Sequence, residues 1–209
     1  MEVTAEALCK LCKSHGYYSS PELNERLHVV AKGFTRIHEN AMVEFTNVSA
    51  CWLTDNALES LEGLQHLIAL RSLWCQRNFL LSLSTHILGG MQFLESVDLS
   101  ENQLTKLERG CLPPTVTTVI IQRNRFINGL EDIWPGLENL TELRVLDCAH
   151  NRLEEGPSTE AFVFTKLPKS VAILNFQGNP FRETIRGYHR QIKEAYPKIS
   201  CIDDVKVMD

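Results

Sequence analysis

The sequence predicts an α/β solenoid: a row of similar coils whose short strands align as one parallel sheet on a concave face. Three observations carry this. A short apolar alternation that ends in asparagine recurs six times. The asparagines, Asn56, Asn78, Asn102, Asn124, Asn151 and Asn179, are separated by 22, 24, 22, 27 and 28 residues. Each gap is too short for an independent folding unit but fits one strand and its return. The 209 residues also contain no linker or low-complexity tract to divide them.

The repeated unit reads apolar-x-x-apolar-x-apolar-x-x-Asn-x-apolar. It occurs as Val48/Cys51/Leu53/Asn56/Leu58, Leu70/Leu73/Cys75/Asn78/Leu80 and Leu94/Val97/Leu99/Asn102/Leu104. It continues as Val116/Val119/Ile121/Asn124/Phe126, Leu143/Leu146/Cys148/Asn151/Leu153 and Val171/Leu174/Phe176/Asn179/Phe181. This is the leucine-rich-repeat pattern. A degenerate seventh copy precedes these six, with Leu27, Val29 and Phe34, and Lys32 in place of the asparagine. The alternation makes a strand whose inward side chains fill the core. The asparagine turns the chain and lends its amide to backbone groups of neighbouring coils. No coil buries its apolar face alone, so stability comes from stacking.

Copies near 22 residues leave room for a 3₁₀ or short helical return, and the two longest predict added helix on the convex side, one candidate being 158–167. Both ends need caps. Leu8, Leu11, Cys12 and His15 share one helical face, and Gly16 stops that helix. Ser20-Pro21 reads as the start of another helix. Ile185, Tyr188, Ile192 and Tyr196 share a second face before Pro197, after which Ile199, Ile202, Val205 and Val207 are expected to close the last coil. The expectation is one domain over 1–209, with a helical N-terminal cap (1–26), six to seven repeats (27–181) and a C-terminal cap (182–209).

Composition narrows the function. The 21 Lys+Arg against 26 Asp+Glu give a net charge of −5, which argues against a nucleic-acid binder with a broad basic field. No apolar run nears the roughly 18 residues of a membrane helix. The start, Met-Glu-Val-Thr-Ala-Glu, lacks the apolar core of a secretory signal, so the sequons at Asn47 and Asn139 read as chance. Of seven irregularly spaced cysteines, Cys51, Cys75 and Cys148 fall on repeated apolar positions. They read as small buried hydrophobes in a reducing compartment, hence a cytoplasmic protein.

Catalytic signatures are missing: there is no phosphate-binding glycine loop, nucleophile elbow or His-Glu-x-x-His. Cys9-x-x-Cys12 with His15 is a weak metal or redox motif, and a packed helix face accounts for it better. Glu154-Glu155 and Asp203-Asp204 read as solvated turns, and His150 as a surface or partner-contact histidine. The expectation is a non-enzymatic protein-binding scaffold without metal or cofactor, and a monomer.

Residues between the apolar strand positions face the groove. The candidate partner-binding residues are Trp52, Thr54, Trp74, Gln76, Arg77, Asp98, Ile120, Arg123, Asp147 and His150. Trp52 and Trp74 occupy one column of adjacent strands, about 4.8 Å apart. Tryptophan and arginine dominate binding hot spots. The other reading is that the pair packs on itself or under a loop of this chain. Arg77 and Arg123 share a flanking column with Glu101 between them, which fits either an arginine edge for an acidic segment or a solvated rim.

Specific blocks carry a resemblance. Leu8-Cys-Lys-Leu-Cys-Lys-Ser-His-Gly-Tyr-Tyr18, Ser20-Pro-Glu-Leu-Asn-Glu-Arg-Leu27 and Lys32-Gly-Phe-Thr-Arg-Ile37 resemble the start of the leucine-rich-repeat domain of the dynein axonemal assembly factor one family. Cys51-Trp-Leu53 and Leu73-Trp-Cys75 resemble its strands, and Asn179-Pro-Phe181, Tyr188-His-Arg190 and Ile202-Asp-Asp204 are similar to its C-terminal cap. That cap is shared with a leucine-rich regulator of type-one protein phosphatase, the leucine-rich dynein light chain and the spliceosomal A-prime protein. The resemblance implies a cytoplasmic scaffold that helps chaperones preassemble axonemal dynein chains for a cilium or flagellum. Its relatives leave two other roles open: a structural subunit of the axoneme or dynein, and regulation of a phosphatase in trans. The family's long charged tail does not follow the repeats, so a fragment or a short paralogue is expected.

Overall fold

Every asparagine of the repeat marks the end of a three-residue strand. A computed structural model describes residues 1–154 and 162–207. The strands in order are β1 (Glu2–Val3), β2 (Arg26–His28), β3 (Arg36–Ile37), β4 (Ala50–Trp52), β5 (Ser72–Trp74), β6 (Ser96–Asp98), β7 (Thr118–Ile120), β8 (Val145–Asp147), β9 (Ile173–Asn175), β10 (Cys201–Ile202) and β11 (Val205–Lys206). Nine of them form one sheet in the order β11-β10-β9-β8-β7-β6-β5-β4-β2. All pairings in it are parallel except β10 with β11. The degenerate copy takes its place at the edge, with Leu27 opposite Cys51.

In β4 to β8 the central residue is buried between two half-buried ones, the alternation expected of a sheet with one wet face. Cys51, Leu73, Val97, Val119, Leu146 and Leu174 form the inner row and are essentially inaccessible. The three cysteines at repeated positions are fully buried and unbonded to one another. Burial drives the Cys51 thiol up to about 12 and holds those of Cys75 and Cys148 well above the ordinary thiol value, so all three stay neutral.

The asparagines tie coil to coil. Asn102 Nδ2 donates to Cys75 O of the preceding coil (3.0 Å) and to Leu99 O of its own (3.0 Å), while its Oδ1 accepts from Leu80 N (3.0 Å). Asn78 and Asn124 repeat this set on Leu53, Cys75 and Leu58, and on Leu99, Ile121 and Leu104. The Asn151 Oδ1 instead accepts from Asn124 N (2.9 Å), the one change among these asparagines, and it follows the longer 27-residue copy. Where Lys32 replaces asparagine, Phe34 N still donates to Asn56 Oδ1 of the next coil as in the regular repeats, and Lys32 N donates to the same oxygen.

The returns are mostly turns, with a 3₁₀ segment at Leu64–His66. The 27-residue copy carries the added helix, a 3₁₀ turn at Gly129–Asp132 followed by α2 (Trp134–Leu137). Of the helix expected over 158–167, residues 158–161 lie outside the described residues, and Phe162–Lys166 is a single π-type turn.

The N-terminal cap is α1 (Ala5–Ser14), begun by the Thr4 hydroxyl accepting from Ala7 N, with Leu8 and Cys12 buried. His15 on that face is exposed, and Ser20-Pro21 opens only a 3₁₀ turn, Pro21–Leu23. The small β1–β3 ladder was not readable from two-residue strands. At the other end come α3 (Pro180–Thr184) and α4 (Tyr188–Ala195). Ile185, Tyr188, Ile192 and Tyr196 are buried as expected, and Ile199 and Ile202 close the coil. Val205 does not: it is 56% exposed on β11, which protects the sheet edge by turning back antiparallel.

Asp203 corrects the reading of Asp203-Asp204 as a solvated turn. It is buried, and its Oδ1 accepts from Phe176 N (2.9 Å) while its Oδ2 accepts from Arg182 Nε (2.9 Å). It stands beyond the last asparagine and joins cap to final coil. Asp204 is exposed and accepts from Asn175 Nδ2 (3.3 Å); Glu155 lies outside the described residues. Among the described residues no helix is long and apolar enough to cross a membrane.

Candidate protein-interaction face

Strand register sets the groove. Residues that flank the buried row on each strand line up with their counterparts, giving one central column: His28, Trp52, Trp74, Asp98, Ile120, Asp147 and Asn175. Beside it run Ala50, Ser72, Ser96, Thr118, Val145 and Ile173.

The amino-terminal half of the column is aromatic. Trp52 and Trp74 stack with centroids 4.4 Å apart and planes within 3°. His28 covers the opposite face of Trp52 at 4.1 Å and 9°. Beyond α1, His15 and Tyr17 approach His28, each at 5.9 Å, extending the ladder into the cap. So the tryptophans do pack on one another, yet both remain half-buried and turn their edges to the groove. Burial, then the nearby His15 and Arg26, holds His28 below the ordinary imidazole value, which favours a neutral ring in the stack. The sequence reading missed His28, although the alignment of Leu27 with Cys51 already places it opposite Trp52.

The carboxyl-terminal half is acidic. Asp98 Oδ1 accepts from Ser100 N (3.0 Å) and Ser100 Oγ (2.6 Å), and Asp147 Oδ1 accepts from Ala149 N (2.9 Å). Burial, then repulsion by Asp204 and Asp98, raises the Asp147 carboxyl above its ordinary value.

The residue before each asparagine takes a left-handed backbone: Asp55, Arg77, Glu101, Arg123 and His150 all have φ between 53° and 60°, and Gly178 has 71°. This turn aims their side chains along one rim. There Arg77 is not a free arginine: its Nη2 donates to Asp55 Oδ2 (2.7 Å), its Nε to Asp55 Oδ1, and Glu101 lies 3.8 Å from it. The Arg77 guanidinium in turn holds the Asp55 carboxyl below its usual value. Arg123 and His150 are exposed further along the rim.

Thr54 leaves the candidate set, being only 6% exposed. Gln76 is half-buried, with Oε1 inaccessible and without a hydrogen-bond partner among the described residues. Cys9, Cys12 and His15 do not converge. Cys12 is buried, and the His15 ring nitrogen Nδ1 turns to Leu11 O at 2.8 Å. No group of three metal-ligating side chains occurs among the described residues.

No protein-family model matches the chain. It is 40% identical over 62 residues to the leucine-rich repeat-containing protein ODA7 of Chlamydomonas reinhardtii, covering 30% of this chain and 14% of that protein. It is 47% identical over 51 residues to dynein axonemal assembly factor 1 of Peromyscus polionotus, covering 24% of this chain and 8% of that protein. Mouse lumican is 26% identical over 146 residues, covering 68% of this chain and 42% of lumican. These matches span less than half the length of each relative. Among solved structures, an internalin of Listeria monocytogenes superposes on 81% of this chain and 47% of its own, with a TM-score of 0.60 and 15% identity. The leucine-rich-repeat solenoid is thereby shown, and parts of the chain resemble the dynein assembly factors as its N-terminal blocks implied.

Proposed function

We propose that this chain is a non-enzymatic protein-binding scaffold in the cytoplasmic preassembly of axonemal dynein arms, destined for a cilium or flagellum. The observation that carries the reading is the local identity to ODA7 and to dynein axonemal assembly factor 1. The partners it implies are axonemal dynein chains and the chaperones or co-chaperones that handle them. The groove supports a binding role: stacked aromatic rings, Ile120 and two carboxylates form a continuous surface six strands wide. The binding residues are Trp52, Trp74, Gln76, Asp98, Ile120 and Asp147, with Arg77, Arg123 and His150 along the rim.

Removing the protein from a ciliated or flagellated cell is expected to deplete axonemes of dynein arms. Wild-type protein restores them, and Trp52→Ala/Trp74→Ala, checked for folding, does not. Full restoration by that variant overturns the assignment of the groove. Fractionation tests the place of action: a soluble cytoplasmic pool is expected. Retention in salt-washed axonemes overturns assembly in favour of a structural subunit, and a change in phosphatase activity on addition of the pure chain would favour regulation in trans.

A further inference from the structure

We infer that the groove receives a protein segment carrying a lysine or arginine among apolar side chains, its cation seated over Ile120 between Asp98 and Asp147. This rests on the reading of the concave face as the binding surface and specifies the partner's chemistry.

Charge complementarity carries it. Across the two facing columns from β4 to β9, Asp98 and Asp147 are the only charged side chains; the rest are Trp, Ile, Val, Ala, Ser, Thr and Asn. The groove is therefore acidic although Arg77 and Arg123 line its rim, and Arg77 is already held by Asp55 and Glu101. An acidic segment would meet two carboxylates with no facing base, so the arginine-edge reading is not the one the geometry favours. Asp98 and Asp147 stand two strands apart with Ile120 between them. Two strand spacings are about 9–10 Å, so one cation above Ile120 lies within about 5 Å of both. Asp204 adds a third carboxylate at the same end, and burial, with repulsion by Asp204 and Asp98, already disfavours the charged form of Asp147.

The ladder fixes which half takes the cation. A cation is drawn to an aromatic face, not to the positive ring edge. Both faces of Trp52 are covered, by His28 and Trp74, so the ladder's remaining face is that of Trp74 toward Asp98, and a cation drawn to it is drawn to the acidic side. The aromatic half thus offers apolar contact and the acidic half takes the charge. A matching segment places its apolar side chains toward β4 and β5 and its basic one over β7.

The test is selection of binders from a displayed library of random peptides on the intact chain, followed by affinity measurement of the selected peptides. Expected are binders with Lys or Arg beside apolar residues, weakened by added salt and at least about tenfold by Asp98→Asn/Asp147→Asn. Both asparagines keep the Oδ1 acceptor of the local turn, and Ile120→Lys, which brings its own ammonium to the same place, is a second variant expected to abolish these binders. Acidic or uncharged binders, or basic ones indifferent to both variants, overturn the inference. If Trp52→Ala/Trp74→Ala abolishes such binders, the groove remains the binding face and only the partner's chemistry is wrong. Binders indifferent to every groove variant overturn both readings.

Discussion

The indole of Trp52 lies flat on that of Trp74, 4.4 Å away and 3° from parallel, with His28 stacked on its other side. Two indoles this close couple electronically. Wild-type protein is expected to show a paired positive and negative band in far-ultraviolet circular dichroism, and either Trp52→Ala or Trp74→Ala to remove it. Each substitution also loses apolar contact and stacking, about 1–3 kcal/mol in denaturant unfolding. A spectrum unchanged by Trp74→Ala would mean that the rings do not stack in solution.

Asn102 is the centre of the coil-to-coil tie. Asn102→Ala leaves Cys75 O, Leu99 O and Leu80 N without their side-chain partner in a dry interior. At about 1–3 kcal/mol per stranded group, the loss rivals the stability of a whole domain. Urea unfolding is expected to show a chain that is largely unfolded or frayed from the middle. Asn102→Asp separates the two halves of the tie: it keeps the Leu80 N acceptor but sets an oxygen against Cys75 O and Leu99 O, and is expected to be at least as destabilising. A midpoint like that of wild type in Asn102→Ala would refute the tie.

Arg123 has φ 54°, a backbone that costs a residue with a β-carbon about 1–2 kcal/mol. Gly178 occupies the same place in the last repeat. Arg123→Gly is expected to be neutral or slightly stabilising, since its relief of strain is offset by a looser unfolded chain. Arg123→Val, with a branched β-carbon, is expected to fall about 1–2 kcal/mol below the glycine variant by thermal unfolding. Equal stabilities would contradict the left-handed turn.

Asp147 gives a pH signature. Its carboxyl is raised in the folded state above the ordinary 3.8, by burial and by Asp204 and Asp98. The charged form therefore opposes folding above the folded value, and the penalty vanishes below the unfolded one. Asp147→Asn, which keeps the acceptor for Ala149 N, is expected to be more stable than wild type near neutral pH. That advantage should close as pH falls through the carboxylate range. An advantage that persists under acid would assign the effect to packing.

Much of this was legible in the spacing. Asparagine positions alone placed every strand from β4 to β9 and the column that joins Trp52 to Trp74, because the strand-to-asparagine offset is imposed by the backbone turn. The degenerate first coil was recognised, yet His28 within it was passed over because attention followed tryptophan. Thr54 could not be excluded from its position alone, since Gln76 at the same place in the next coil is only half-buried. Asp203 looked like one of two exposed acids. Its buried role appears only once Arg182 and Phe176, more than twenty residues away in sequence, are brought beside it. The left-handed rim was likewise hidden, since five of its six residues from Asp55 onward are not glycine.

The distance from the first apolar residue of each unit to its asparagine is eight positions in all six copies, while the spacing between asparagines drifts from 22 to 28. Such a chain has two registers of tolerance to inserted or deleted codons. On the convex returns, length is free to change, and the 27-residue copy shows a helix taking up the slack. Between strand and asparagine, one added residue would swap core and groove side chains and break the tie to the next coil. A lineage carrying this fold can lengthen its back or gain whole coils, and thereby reshape what the groove holds, without disturbing the frame that presents it.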